Sequence, residues 1–265
     1  MSDILASILE RTRRTNARRA RRVSPPPAPC ERAARAVEAL RRPQDGMPRV
    51  IAEVKFRSPS AGVIRARRPG EAQRLARAYV DGGAAAVSVL ADGPAFGGSP
   101  LDVRRVSETV SVPVLFKGFV LDERQIELAS RVGASMVLLL VRAMPFDALE
   151  RLVRHALALG LAPLVEAADD DELALALDTS ATLIGVNARD LRTFRVDPEA
   201  ARGQLERIPR DRVAIYMSGI RSAADLAWVA AGRVDAVLVG EGLAREPDPA
   251  ATLRAWLAGR GRSDA

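Results

Sequence analysis

Eight short apolar runs, separated by stretches of helical periodicity, constrain this chain more than any other feature. They are Val50–Lys55, Ala86–Leu90, Val114–Lys117, Ser135–Leu140, Ala162–Glu166, Leu183–Asn187, Val213–Met217 and Asp235–Val239. Their starts lie roughly 20 to 36 residues apart, the length of one strand–helix unit. The runs lack polar/apolar alternation, as expected of parallel strands packed on both faces. Between them, Glu71–Val80, Glu123–Val132, Pro145–Leu159, Asp169–Leu177, Ser222–Ala231 and Pro249–Leu257 read as amphipathic helices. Gly82, Gly133 and Gly160 follow the first three as C-cap signals. Eight such units in about 215 residues predict an α/β fold of the (β/α)8 barrel type. An open doubly wound sheet is the alternative. It would call for a G-x-G-x-x-G first turn, and the first turn here is Phe56-Arg-Ser-Pro-Ser60.

Residues 1–48 precede the runs. The spacing of Ile4, Leu5, Ile8 and Leu9 predicts a helix over 2–22, whose second half from Arg11 to Arg22 holds seven arginines. A nucleic-acid arm is one reading of that half. Aromatics are only 4% of the chain and none is interleaved there, so a solvated amphipathic helix lying on the barrel is the preferred reading. Ser24–Pro29 breaks the helix, a second helix covers Cys30–Arg42, and Pro43–Pro48 is a linker. The expected organisation is an N-terminal helical extension, 1–48, packed on a barrel, 49–265, as a single structural domain.

Of the 40 basic side chains, only Lys55 and Lys117 are lysines. Arginine replaces lysine freely as a surface charge, but not where a compact ammonium of adjustable pKa is needed. Both lysines close predicted strands, at the barrel end where active sites are built. The other strand ends add Glu53, Glu166 and Asn187, with Arg189 just beyond. Glu53 and Lys55 are two apart and share a face. After the last two runs, Ser218-Gly219 and Gly240-Glu241-Gly242 let backbone N–H groups approach a phosphate. Cys30 and His155 are the only residues of their kinds, which excludes an intrachain disulfide, a Cys/His zinc site and a Ser-His-Asp triad. These residues point to a barrel enzyme for a phosphorylated, anionic substrate, working by lysine and carboxylate acid–base chemistry without a metal or a cofactor. The net charge of +7 suits such a substrate. No apolar run reaches membrane-spanning length, and a lone cysteine fits a reducing cytoplasm. No nucleic acid or membrane partner is expected, and a monomer or weak homo-oligomer is.

The sequence resembles the indole-3-glycerol phosphate synthase family of tryptophan biosynthesis, from about Ile51 to Leu257. The resemblance rests on Ile51-Ala-Glu-Val-Lys55, Ser58-Pro-Ser60, Phe96-Gly-Gly-Ser99, Val114-Leu-Phe-Lys117, Leu164-Val-Glu166, Ile184-Gly-Val-Asn-Ala-Arg-Asp-Leu191, Ser218-Gly-Ile220 and Ala236-Val-Leu-Val-Gly-Glu-Gly-Leu243. It implies ring closure of 1-(2-carboxyphenylamino)-1-deoxyribulose 5-phosphate with release of CO2 and water. By the same resemblance, Lys117 would be the general acid at the substrate ketone and Glu166 the acid/base partner in the dehydration. Lys55 would hold the substrate carboxylate, Glu53 would orient the lysines, and Asn187 would hydrogen-bond the substrate. Ser218 would line the pocket, and Phe96 would flank the aminobenzoate ring. Ser58, Gly219, Gly240 and Glu241 would take the phosphate, largely through backbone, with Arg189 also on the substrate side. Two positions depart from the family pattern: Met217 stands where a glutamate is expected and Gly118 where an aspartate is. They keep open a paralogue with weakened activity or an altered substrate. The alternative of another class is a non-catalytic anion- or nucleic-acid-binding protein.

Overall fold

The computed structural model describes residues 4–19, 27–44, 46–59, 61–190 and 195–259. The outer ends of the predicted first helix at 2–3 and 20–22, the break at 24–26, and Ser60 and Leu191 of the motifs lie outside these.

The eight predicted runs are all strands. They are β1 Arg49–Val54, β2 Ala86–Leu90, β3 Val114–Lys117, β4 Met136–Leu140, β5 Ala162–Ala167, β6 Leu183–Asn187, β7 Val213–Met217 and β8 Ala236–Val239. Each pairs in parallel with its neighbours in chain order, and β8 pairs back onto β1 to close the barrel. The register sets Leu90 beside Lys117, Leu140 beside Glu166, and Asn187 beside Met217. The polar residues that end successive strands therefore stand at one rim.

The outer helices are α3 Glu71–Asp81, α4 Pro100–Ser107, α5 Glu123–Arg131, α6 Phe146–Ala158, α7 Asp170–Asp178, α8 Pro198–Glu206, α9 Ala223–Ala230 and α10 Pro249–Leu257, counted after α1 Ile4–Arg19 and α2 Arg32–Leu40. Six were predicted; α4 and α8 were not. Both begin on a cap followed by proline. Ser99 Oγ accepts from the Leu101 N–H, and Asp197 Oδ1 from the Ala200 N–H. Those dipeptides are start signals in the sequence. What hid the helices is a thin apolar face, with only Val103 and Val106 buried in α4 among aliphatic residues, and Ala201 and Leu205 in α8.

Two apolar layers hold the fold together. Val50, Ala52, Val87, Val137, Val165 and Val237 face outward onto the helices. Ile51, Leu115, Met136, Leu164, Leu183, Ile215 and Leu238 fill the barrel interior. The N-terminal helices close this interior layer at its two ends. Ala36 and Leu40 of α2 are fully buried against it from the N-terminal side of the strands. There Arg42 Nη1 donates to the Ala230 carbonyl at 2.9 Å, and the Cys30 N–H to that of Leu159 at 3.1 Å. Leu5 and Leu9 of α1 join the layer from the opposite side, where Asn16 Nδ2 donates to Gln125 Oε1 at 2.7 Å. The amphipathic helix expected to lie on the barrel does so within α1 through Leu5, Ile8 and Leu9, which are buried. Its periodicity was readable, but the surface it covers was not.

Candidate active site

The C-terminal rim of the barrel encloses a pocket. Every residue singled out in the sequence for a site lines it: Glu53, Lys55, Ser58, Phe96, Lys117, Glu166, Asn187, Arg189, Ser218, Gly219, Gly240 and Glu241. Leu5 and Ile8 of α1, Asp92 after β2, and Phe119 after β3 also line it. These four the sequence reading missed. Asp92 and Phe119 sit two residues beyond the ends of β2 and β3 and carried a positional signal, whereas α1 reaches the pocket only through the tertiary fold.

Glu53 organises the polar floor. It projects inward from β1 with its carboxylate 1% exposed between the two lysines. Lys117 Nζ donates to Oε2 at 2.5 Å, and Lys55 Nζ lies 3.4 Å from Oε1. Ser88 Oγ, directly across on β2, donates to Oε2 at 3.5 Å. A Cβ at position 240 would lie 2.8 Å from Glu53 Oε1, so the glycine there makes room for the carboxylate as well as for a ligand. Lys55 itself falls one residue past β1, and its ammonium sits 5.9 Å from the centre of the Phe96 ring. Phe96 and Phe119 are tilted at 32° with centroids 6.1 Å apart, forming an aromatic corner.

Glu166, at the end of β5, accepts from Asn187 Nδ2 at 2.9 Å, and Asn187 Oδ1 accepts from the Arg189 N–H at 3.0 Å. This fixes the amide, since Asn187 both donates and accepts. The two buried carboxyls are pushed in opposite directions. Burial raises Glu53, but Lys117 and Lys55 outweigh it and hold the group below its ordinary 4.5. Burial raises Glu166 as well, and there the offset from Lys117 and Asn187 is incomplete, leaving the group above 4.5. The two carboxyls of the pocket thus have pKa values shifted in opposite directions.

The rim formed by β7 and β8 differs in character. Ser218 has φ 74° and Gly219 φ 90°, and Ser218 is the one non-glycine residue with positive φ among those described. A serine held there is strained backbone, in a turn whose Ser218 and Gly219 both line the pocket. Ser58 Oγ accepts from the Ala61 N–H at 3.1 Å, so this buried hydroxyl shapes the adjoining turn. The Glu241 carboxylate accepts from Arg245 Nε at 2.9 Å. The pair is partly exposed to solvent, and Glu241 lines the pocket beside Gly240 and Gly242.

Met217 closes β7 but does not line the pocket. It is 1% exposed and belongs to the interior apolar layer. Its thioether lies over Gly185, where an added Cβ would meet Sδ at 2.6 Å. His155 is far from the rim on α6, facing Glu127 across 3.9 Å, and Cys30 lies at the opposite end of the barrel.

A sequence model of the family described as indole-3-glycerol phosphate synthase matches residues 8–256. The indole-3-glycerol phosphate synthase of Rhodopirellula baltica is 43% identical over 210 residues, which is 79% of this chain and 80% of that protein. That of Leifsonia xyli is 46% identical over 205 residues, 77% of this chain and 78% of that protein. A solved 3-hexulose-6-phosphate synthase superposes with a TM-score of 0.64 at 17% identity, over 80% of this chain and 99% of that one, a likeness of fold alone. With a family match across nearly the whole barrel and relatives above 40% identity on most of their length, the chain belongs to the indole-3-glycerol phosphate synthase family.

Proposed function

We propose that this chain closes the indole ring of 1-(2-carboxyphenylamino)-1-deoxyribulose 5-phosphate, using Lys117 as general acid and Glu166 as the proton acceptor of the later step. The observation that carries the reading is one buried carboxylate, Glu53, bridging the chain's only two lysines while a second carboxyl of raised pKa lines the same pocket. The substrate phosphate lies against the backbone of Gly219 and Gly240, and the aromatic ring at the opposite rim beside Phe96. Lys55 holds the substrate carboxylate. The ring carbon bearing that carboxylate attacks the ketone carbon as Lys117 gives its proton to the ketone oxygen. Loss of CO2 returns the electron pair to the ring. Glu166 then takes a proton from the adjacent sugar carbon while Lys117, reprotonated from solvent, gives one to the departing hydroxyl, which leaves as water as the indole double bond forms. Asn187 keeps Glu166 aimed at that proton. Ser58, Ser218, Glu241 and Arg189 shape the phosphate side.

In this reading residues 1–48 and the barrel 49–265 act as one domain. The protein works in the cytoplasm as a monomer or weak homo-oligomer, since a single chain carries the whole residue set. Turnover, followed by the fluorescence of the indole product, is the direct test. Lys117→Arg keeps the charge but not the transferable proton and should lower kcat by about 10³-fold or more. Near-normal turnover in that variant would remove Lys117 as the acid.

Buried Met217 favours a second reading, that activity on this substrate is weakened. Met217→Glu should then raise kcat several-fold. Unchanged kcat would mean that Glu53 alone suffices to hold Lys117.

A further inference from the structure

A second cavity lies beneath α1, of about 260 Å³, and shares Asp92, Gly118 and Phe119 with the pocket above. Gly118 forms part of the partition between the two. Its φ is not in the left-handed region, and an added Cβ would make only ordinary contacts, 3.5 Å from Phe116 Cε1 and 3.7 Å from Ala91 Cβ. Neither backbone conformation nor crowding demands glycine there. What the glycine does is leave the partition without a side chain.

Beyond it the lining is mixed, with Pro100, Phe116 and Leu128 beside a polar group on one side. Arg11 Nη2 lies 3.6 Å from Asp92 Oδ1, and Asn16 Nδ2 donates to Gln125 Oε1. The Thr12 and Thr15 hydroxyls donate to the Ile8 and Arg11 carbonyls at 2.9 and 3.0 Å, which leaves their oxygens able to accept. This side cavity adjoins the corner of Phe96, Phe119, Leu5 and Ile8, opposite the β7–β8 rim.

We infer that the side cavity takes a hydroxyl carried on the aminobenzoate ring, so that this chain cyclises ring-hydroxylated substrates alongside the unsubstituted one. The inference rests on the orientation given above, phosphate at β7 and β8 and ring at Phe96. A neutral hydroxyl fits the lining best. It can donate to Asp92 and accept from Arg11, whereas a carboxylate would face Asp92, an ammonium would face Arg11, and an alkyl group would offer a hydrogen bond to neither. The bond changes are those of the parent reaction: one C–C bond forms, CO2 and water leave, and the ring hydroxyl is a spectator.

The test compares the unsubstituted substrate with those carrying one hydroxyl at each open ring position. For each, the alcohol obtained by reducing the ketone serves as a ligand that cannot cyclise. With the intact chain, one hydroxylated substrate should turn over within about threefold of the parent kcat/KM, and its reduced form should bind at least as tightly as the reduced parent. Gly118→Val, which fills the partition, should shift the hydroxylated-to-parent ratio of both kcat/KM and Kd by about tenfold against the hydroxylated compound. Thr15→Leu, which fills the cavity from the far wall, should shift it the same way and guards against misfolding at position 118. A Kd ratio that neither variant moves overturns the inference. Loss of turnover on every compound, with the Kd ratio still responding, overturns the proposed activity and leaves the side cavity standing.

Discussion

At the scale of single residues, the site depends on two glutamates that differ in surroundings and not in kind. Glu53 has two ammonium groups within 3.4 Å, and its charge is held. Glu166 has one donor amide at 2.9 Å and a more distant ammonium, and its proton is held more tightly than in water. A base with a raised pKa limits the rate from the acid side, so kcat/KM should rise with pH through an apparent pKa above 4.5. The Asn187 bond favours the ionised form, so removing it raises the pKa further. Asn187→Ala should move the acid limb to higher pH, as well as lowering kcat. A pH profile with an unmoved limb would separate that limb from Glu166. The same pKa has a consequence for stability. A carboxyl raised on folding costs nothing below its unfolded value and destabilises the fold once pH exceeds it, most fully above the folded value. Glu53 works the other way, favouring the fold above its unfolded value and ceasing to as pH falls through the folded one. Met217 is the residue whose neighbours the sequence could not supply. As a letter it reads as a missing acid, but in the fold it is a buried thioether filling the space over Gly185.

At the scale of elements, the strands were legible and two helices were not. A buried parallel strand announces itself by being apolar on both faces, and all eight were visible on that ground. A helix announces itself by a stripe, which in α4 and α8 is reduced to two buried aliphatic residues each, so Ser99-Pro100 and Asp197-Pro198 are the clearer marks of their starts. Helix α1 shows the converse. Its stripe was visible, but a stripe specifies only that some apolar partner exists. The partner is the mouth of the barrel, where Leu5 and Ile8 become pocket wall. Leu5→Ala combined with Ile8→Ala should therefore raise KM by about tenfold, as expected for truncating two apolar contacts to a ligand, with little change in the pH profile. Steady-state kinetics checks this; an unchanged KM would mean that α1 does not face bound substrate.

At the scale of the whole molecule, the barrel is closed at one end by α2 and covered at the other by α1. Both closures bury apolar side chains against the interior layer, but only α1 lines the pocket. Leu40 is fully buried at the end away from the pocket. Leu40→Ala should cost about 3 kcal/mol by equilibrium denaturation and leave KM within twofold. A large KM effect would show the two ends to be coupled. The closed order of parallel strands also explains why the site was so largely readable. Alternating strand and helix allows few topologies, and a (β/α)8 barrel brings the C-terminal ends of all its strands to one rim. Residues far apart in the chain, such as Glu53 and Glu166, could thus be assigned to one pocket from their positions at strand ends. By itself the sequence determined the barrel, the rim residues and the family, because hydrophobic periodicity and strand-end polarity are local signals. Tertiary structure alone decided which lysine meets which carboxylate oxygen, that Gly240 makes room for Glu53, and that α1 walls the pocket. It also left the partition at Gly118 bare. These depend on distances between segments brought together only by packing, and no local pattern encodes them.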